Sequence, residues 1–233
     1  MNAALPFLSA LISFIFAGVV FAQWISRRKL HQLVWTLGLL AYCIGAGSEF
    51  VGVIYGWSQP LYQAWYLFGA ILVAAYLGMG TVYLVTPRRV AHAIMAVLVL
   101  GSLFATYRVF SAQINTTLLS TMVVPTGEAM ASGVRWLTPI FNGLGTLGLV
   151  GGAVYSAWVF WRKRIRPERL TSCVLIAVGG ALPAIGGTQM RLGNPQLFFL
   201  MELLGVAVIF IGFLANSEIV AMRLRDKSSA LAH

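Results

Sequence analysis

The chain has 233 residues, of which 59% are hydrophobic and 9% are charged, and its mean hydropathy is +0.85. Soluble domains carry about 25% charged residues, so the composition excludes an ordinary soluble protein and predicts an integral membrane protein. The net charge of +10 does not indicate nucleic-acid binding, because the basic residues form short clusters between apolar runs.

Seven apolar runs are long enough to cross a bilayer as helices, so we predict an all-α, polytopic protein, with residues 1–233 forming a single seven-helix domain. The first run has no basic residue before it, which favours an uncleaved span over a signal peptide. The longest polar connection covers residues 111–132. The predicted helices cover residues 5–25, 33–55, 61–85, 90–110, 136–161, 171–188 and 196–219.

The basic residues predict the orientation of these spans. Seven spans place alternate connections on opposite sides, and 13 of the 16 Lys and Arg residues fall on one side. The other side holds only Arg108, Arg135 and Arg191. By the positive-inside rule, the N-terminus is outside and the C-terminus inside. We expect a multi-pass protein of a bacterial-type plasma membrane, in contact with the lipid bilayer.

An offset of 135 residues superposes several features of the chain on each other. Arg27-Arg28-Lys29 meets Arg162-Lys163-Arg164, and Gly45-Ala46 meets Gly180-Ala181. Spans one to three would then correspond to spans five to seven, with span four as a linker. Because both triplets start on the same side, this pattern predicts a parallel 3+1+3 repeat, with two similar helical hairpins as the alternative.

The 3+1+3 arrangement resembles that of SWEET and other PQ-loop transporters, whose hallmark is a Pro-Gln inside a helix of each triplet. Here the one such pair, Pro195-Gln196, lies at a turn, so the similarity is architectural. The seven-span form is also similar to that of microbial opsins, but no span contains a lysine for a retinal Schiff base. The stretch from Trp35 to Pro87, with Trp65-Tyr66-Leu67-Phe68-Gly69-Ala70, resembles uncharacterised bacterial seven-helix membrane proteins.

Two acids lie deep inside predicted spans, Glu49 in the second and Glu202 in the seventh. A carboxylate in a membrane is costly and usually faces protein or a water-filled cavity. Both acids are about two turns from the outer surface, so we expect them at the same depth. The small residues Gly45 and Gly52 share a helix face with Glu49, and Gly205 accompanies Glu202, which predicts that both faces point into the bundle.

We expect these acids to line a polar, outward-opening cavity that binds a proton, a cation or an amine. The alternative is that they pair with outer arginines or tyrosine hydroxyls and only tie helices together. The residues predicted to bind a ligand or proton are Glu49, Glu202, Arg108, Arg135, Arg191, Asn142 and Gln189.

The sequence contains no recognisable catalytic constellation, metal-ligand spacing or pair of histidines for a haem, so we predict a protein that is not an enzyme and needs no cofactor. The leading interpretation is a protein that binds or transports a small solute, with proton coupling as an option. The alternative is a receptor-like or accessory subunit that docks a partner membrane protein. The expected protein partner is a membrane protein of another kind or a second copy of this chain.

Overall fold

The computed structural model describes residues 3–122, 124–164, 167–191 and 195–216. Within these ranges the backbone forms helices and turns without a β-strand, and a single bridge joins Ile114 to Met130. Seven helices are long and apolar enough to span a membrane, which confirms an all-α, multi-pass membrane protein. They are α1 (Ala4–Arg27), α2 (Leu30–Tyr55), α3 (Gln59–Val85), α4 (Arg88–Phe110), α5 (Ser132–Lys163), α6 (Pro167–Arg191) and α7 (Pro195–Asn216).

Most helices extend a few residues beyond the predicted apolar runs, because polar and basic terminal turns continue the backbone hydrogen bonding that hydropathy does not report. The largest extensions are at α5, which begins at Ser132 rather than at residue 136, and at α6, which begins at Pro167 rather than at residue 171. The predicted end of the last helix, residues 217–219, lies outside the described residues.

The helices form a ring in the order α1, α2, α3, α5, α6 and α7, and α7 closes the ring against α1. Helix α4 lies outside the ring, where it packs mainly against α3. The side of the bundle on which α1 begins is called the N-terminal face below. It also carries the α2–α3 turn and the α4–α5 connection.

Glycines set the closest approaches between neighbouring helices. A Cβ placed on Gly45 of α2 would lie 2.7 Å from the Cα of Gly69 on α3, so only glycine fits at this crossing. Helices α6 and α7 cross in the same way, because a Cβ on Gly179 would lie 2.8 Å from the carbonyl oxygen of Gly205. Gly45 and Gly52 therefore turn the Glu49 face of α2 into the bundle, and Gly52 packs against the ring of Trp57.

The longest polar connection, residues 111–132, forms a folded cap on the N-terminal face. It contains a short helix, Thr116–Thr121, whose first turn is capped by the Asn115 side chain, and a 3-10 turn at Gly127–Ala129. Leu119 and Met130 are the buried residues on the inner side of this cap. The apolar residues between the polar ones pack onto α3, which hydropathy averaged over the segment does not show.

Candidate functional site

The side-chain carboxyl groups of Glu49 and Glu202, here called the acid pair, contact each other between α2 and α7. Glu49 is 1% exposed, and Glu202 is partly exposed as a residue. The Oε2 atom of each is inaccessible to solvent and has no donor among the described residues. Ionised carboxylates are acceptors only, so a hydrogen bond between them requires a proton on one of the two.

Trp65 of α3 holds the Glu49 side of the acid pair. Its indole N–H donates to Oε1 of Glu49 at 2.8 Å in a buried hydrogen bond. Trp65 begins an eight-residue π-helical stretch, Trp65–Leu72, that also carries Gly69. Short π-helical segments occur often at functional sites, because the extra residue per turn re-aims the side chains that follow.

Four aromatic side chains cover Glu49 from the N-terminal face. Trp57, in the turn after α2, packs edge-on against Trp65 with ring centroids 6.0 Å apart. All four residues of this aromatic cluster are buried. Its members are Trp57, Tyr62, Trp65 and Tyr66. The hydroxyl of Tyr62 donates to the carbonyl oxygen of Thr126 at 2.6 Å, so the folded cap fixes the cluster.

On the other side of the acid pair, the ring interior is filled by apolar side chains, here called the apolar plug. The plug draws on α1, α2, α3, α5 and α7 and includes stacked Phe16 and Phe210 rings 4.6 Å apart. Its buried members include Phe16, Trp35, Leu39, Leu77, Leu149, Val206 and Ile209. Between the acid pair and the plug, the hydroxyl of Tyr42 donates to the backbone carbonyl of Glu202 at 2.7 Å and ties α2 to α7. The acid pair is thus enclosed from both faces.

No protein-family model, curated protein or solved structure matches this chain.

Among the described side chains, no Lys, Arg or His acts on either carboxyl of the acid pair. Arg108 instead donates from Nη2 to the carbonyl oxygen of Gly133 at 2.8 Å and lies over the ring of Phe104. Arg135 is exposed on the N-terminal face, where its charge acts on the hydroxyl groups of Tyr62 and Tyr66. The structure therefore separates these two arginines from the acids.

The remaining predicted site residues lie on α5 and α6. Asn142 donates from Nδ2 to the carbonyl oxygen of Ala70 at 3.0 Å, within the π-helical stretch of α3. A π-helical stretch interrupts the regular backbone hydrogen bonding of an α-helix. The side-chain amide of Asn142 provides a hydrogen bond to one backbone carbonyl in this stretch. Gln189 is half-buried near the end of α6. The side chain of Arg191 lies outside the described part of the chain.

Two partners of the acid pair were not identified as site residues from the sequence, Trp65 and Tyr42. A signal for Trp65 was present, because the α2–α3 turn is short. Glu49 lies six residues before the end of α2, and Trp65 lies six residues after the start of α3, so an antiparallel hairpin brings them to the same level. Tyr42 could not be found in this way, since its contact depends on which helix lies across from α2.

Proposed function

We propose that this multi-pass protein of a bacterial-type plasma membrane binds or moves a small solute, and that the acid pair takes up and releases a proton in that process. The observation that carries the proposal is the contact between the carboxyl groups of Glu49 and Glu202 in the bundle interior. Two carboxylates in contact repel each other when both are ionised, so such a pair tends to retain one proton. Intramembrane acids on facing helices recur in proton relays for this reason.

The helix arrangement supports a transport role. The ring order pairs α1 with α5, α2 with α6 and α3 with α7 about an axis through its centre, as a parallel repeat would. The glycine crossings Gly45–Gly69 and Gly179–Gly205 then occupy corresponding positions, within one residue of the 135-residue offset in the sequence. Two similar halves that meet at one site suit an alternating opening of that site to the two faces.

The orientation is also part of the proposal. The basic clusters Arg27–Lys29 and Arg162–Arg164 favour a cytoplasmic position for the face opposite to the N-terminal one. The acid pair then lies nearer the outer surface, beneath the aromatic cluster. Protons and solute would reach the acid pair from outside when Trp57 moves. The apolar plug would separate the acid pair from the cytoplasm.

A second candidate function, a subunit that docks a partner membrane protein, is favoured by the position of α4. This helix lies outside the ring, and Val97, Leu100 and Leu103 on it are each 65% exposed or more. In a membrane such a face contacts either lipid or another helix. Purification in mild detergent separates the two functions, because a transporter is stable alone or as a homo-oligomer, whereas a subunit co-purifies with a fixed partner.

The proposal is tested by counting protons. Purified protein is titrated between about pH 5 and about pH 9, and the wild type is compared with Glu202→Gln and Glu49→Gln. We expect the wild type to release one proton more than either variant in this range. The control, Glu128→Gln, makes the same substitution at an exposed acid of the cap. Identical titration of the wild type and both acid-pair variants would contradict the proposal.

A further inference from the structure

Ser9 of α1 has a buried hydroxyl without a partner. The residue is 0% exposed, and its Oγ has no hydrogen bond among the described residues. Ser13, one turn further along the same face, donates to the carbonyl oxygen of Ala10 at 2.9 Å. Serine hydroxyls in membrane helices usually donate to a backbone carbonyl of the preceding turn, as Ser13 does. A buried hydroxyl group without a partner, such as that of Ser9, therefore suggests a role in binding a ligand.

The face of α1 that carries Ser9 points to the junction of α2 and α7. Phe16 lies two turns further along this face, and its ring contacts Trp35 of α2 and Phe213 of α7. Residues seven apart lie nearly on one line of a helix, so Ser9 points toward the same junction, nearer the N-terminal face. This junction is where the carboxyl groups of Glu49 and Glu202 meet.

Contacts between α1 and α2 also set the level of Ser9. The rings of Phe7 and Phe50 are 5.2 Å apart, and Ser13 lies beside Cys43. In an antiparallel pair of helices, these contacts place Ser9 opposite residues 47 and 48, next to Glu49 and within one turn of it. Ser9, Glu49 and Glu202 thus lie at one level of the bundle, and each has a buried oxygen atom without a partner among the described residues.

We propose that Ser9, Glu49 and Glu202 form a binding site for a monovalent inorganic cation such as Na⁺, which exchanges with the proton of the acid pair. Hard cations prefer oxygen ligands, and this site offers two carboxyl groups and one hydroxyl group. The exchange balances in charge: the protonated pair carries one negative charge, and a doubly ionised pair with one bound Na⁺ carries the same. Binding of one Na⁺ therefore releases one proton. This inference rests on the proposed proton-binding role of the acid pair.

Few other groups can compete for the cation or the proton. Tyr42 of α2 is the titratable side chain whose charge would interact with both acids. Helix α3 presents the uncharged indole of Trp65, and the second serine of α1, Ser13, already donates to the carbonyl oxygen of Ala10. The described charged side chains of α6, Glu168 and Arg169, lie in its first turn, at the end remote from Glu202.

The test compares NaCl with choline chloride at equal ionic strength on purified protein at about pH 6, where we expect the acid pair still to hold its proton. Two quantities are measured, protons released into a weakly buffered solution and tryptophan fluorescence, since the Trp65 indole touches Glu49. We expect Na⁺, and not choline, to release about one proton per chain and to shift the fluorescence. Glu202→Gln should abolish both effects.

Ser9→Ala is the decisive variant, and Ser13→Ala is its matched control on the same buried face. Removing a hydroxyl that has no partner should leave the fold intact. We expect Ser9→Ala to raise the apparent Kd for Na⁺ about tenfold, which corresponds to the loss of one ligand, and Ser13→Ala to leave the Kd unchanged. Equal Kd values in both variants would overturn the assignment of Ser9.

The remaining outcomes distinguish this inference from the proposed function. If Na⁺ and choline act identically on the wild type, while Glu202→Gln still removes a titrating proton, the site binds protons only and the cation inference is wrong. If Na⁺ has no effect and neither acid variant changes the titration, both proposals are wrong.

Discussion

The indole N–H of Trp65 donates to Oε1 of Glu49 at 2.8 Å, whereas the adjacent Trp57 has no described partner for its own indole N–H. The two rings pack edge-on at 6.0 Å, and both are buried. Two neighbouring tryptophans therefore share an environment but differ in one hydrogen bond. This difference makes Trp57 a natural control for Trp65.

We predict that Trp65→Phe lowers stability by about 1–3 kcal/mol more than Trp57→Phe, because only the first substitution leaves a buried carboxyl oxygen without its donor. Both substitutions keep an aromatic ring in the cluster. Thermal unfolding of the two purified variants in the same detergent measures the difference. Equal melting temperatures would show that the bond to Glu49 adds nothing to stability.

The acid pair predicts a stability that depends on pH. If the folded protein holds a proton between Glu49 and Glu202 that the unfolded chain has released, the folded state binds more protons, and its free energy of unfolding falls as pH rises. We expect the wild-type melting temperature to decrease from about pH 6 to about pH 9 as the two carboxylates come to repel each other.

Glu49→Gln and Glu202→Gln should each flatten this dependence, because an amide can donate to the remaining carboxylate at every pH in the range. In Glu49→Gln the side-chain oxygen can still accept from Trp65, so we expect the fold to be retained. The measurement is a series of melting curves across the pH range in one buffer system. Parallel curves for the wild type and both variants would mean that the acids serve as uncharged structural ties.

The position of Arg108 predicts that it acts independently of the acid pair. Its guanidinium bonds to the carbonyl oxygen of Gly133 and holds the start of α5 against the end of α4. We expect Arg108→Gln to lower stability by about 1 kcal/mol and to leave the pH dependence of the wild type intact. A variant that flattens the pH dependence would instead place Arg108 in the proton-binding site, as the sequence suggested.

Hydropathy was sufficient to predict the number of spans and most of their boundaries, because length and apolarity decide which segments cross a bilayer. The level of Glu49 and Glu202 could also be predicted, since each lies a countable number of residues from a helix end. What could not be predicted is which helices are neighbours. The contact between α2 and α7 depends on the closure of the ring, and no local pattern in the sequence specifies it.

The predicted cavity of acids and arginines also depended on which helices are neighbours. Arg108 and Arg135 were predicted to bind the ligand or proton together with the acids, but residues on one side of a bundle can face different neighbours. Arg108 is on α4, which lies outside the ring, and it therefore bonds to the start of α5 rather than to the acid pair. The depth of a side chain in the membrane follows from its position along one helix. The neighbour that the side chain faces depends on how all the helices are arranged.

The crossing of α2 and α3 gives a prediction with an internal control on one helix. A Cβ on Gly45 would lie 2.7 Å from the backbone of Gly69, whereas a Cβ on Gly47 would have no atom of another helix within 4 Å. Gly45→Ala must push α3 away from α2, and such overpacking costs about 1–3 kcal/mol. Because the hydrogen bond from Trp65 to Glu49 bridges the same two helices, Gly45→Ala should also shift tryptophan fluorescence.

Gly47→Ala should be neutral or stabilise the protein by up to about 1 kcal/mol through helix propensity. Melting curves and emission spectra of the two variants test both parts, and a Gly45→Ala protein as stable as Gly47→Ala would show that the helices do not cross this closely.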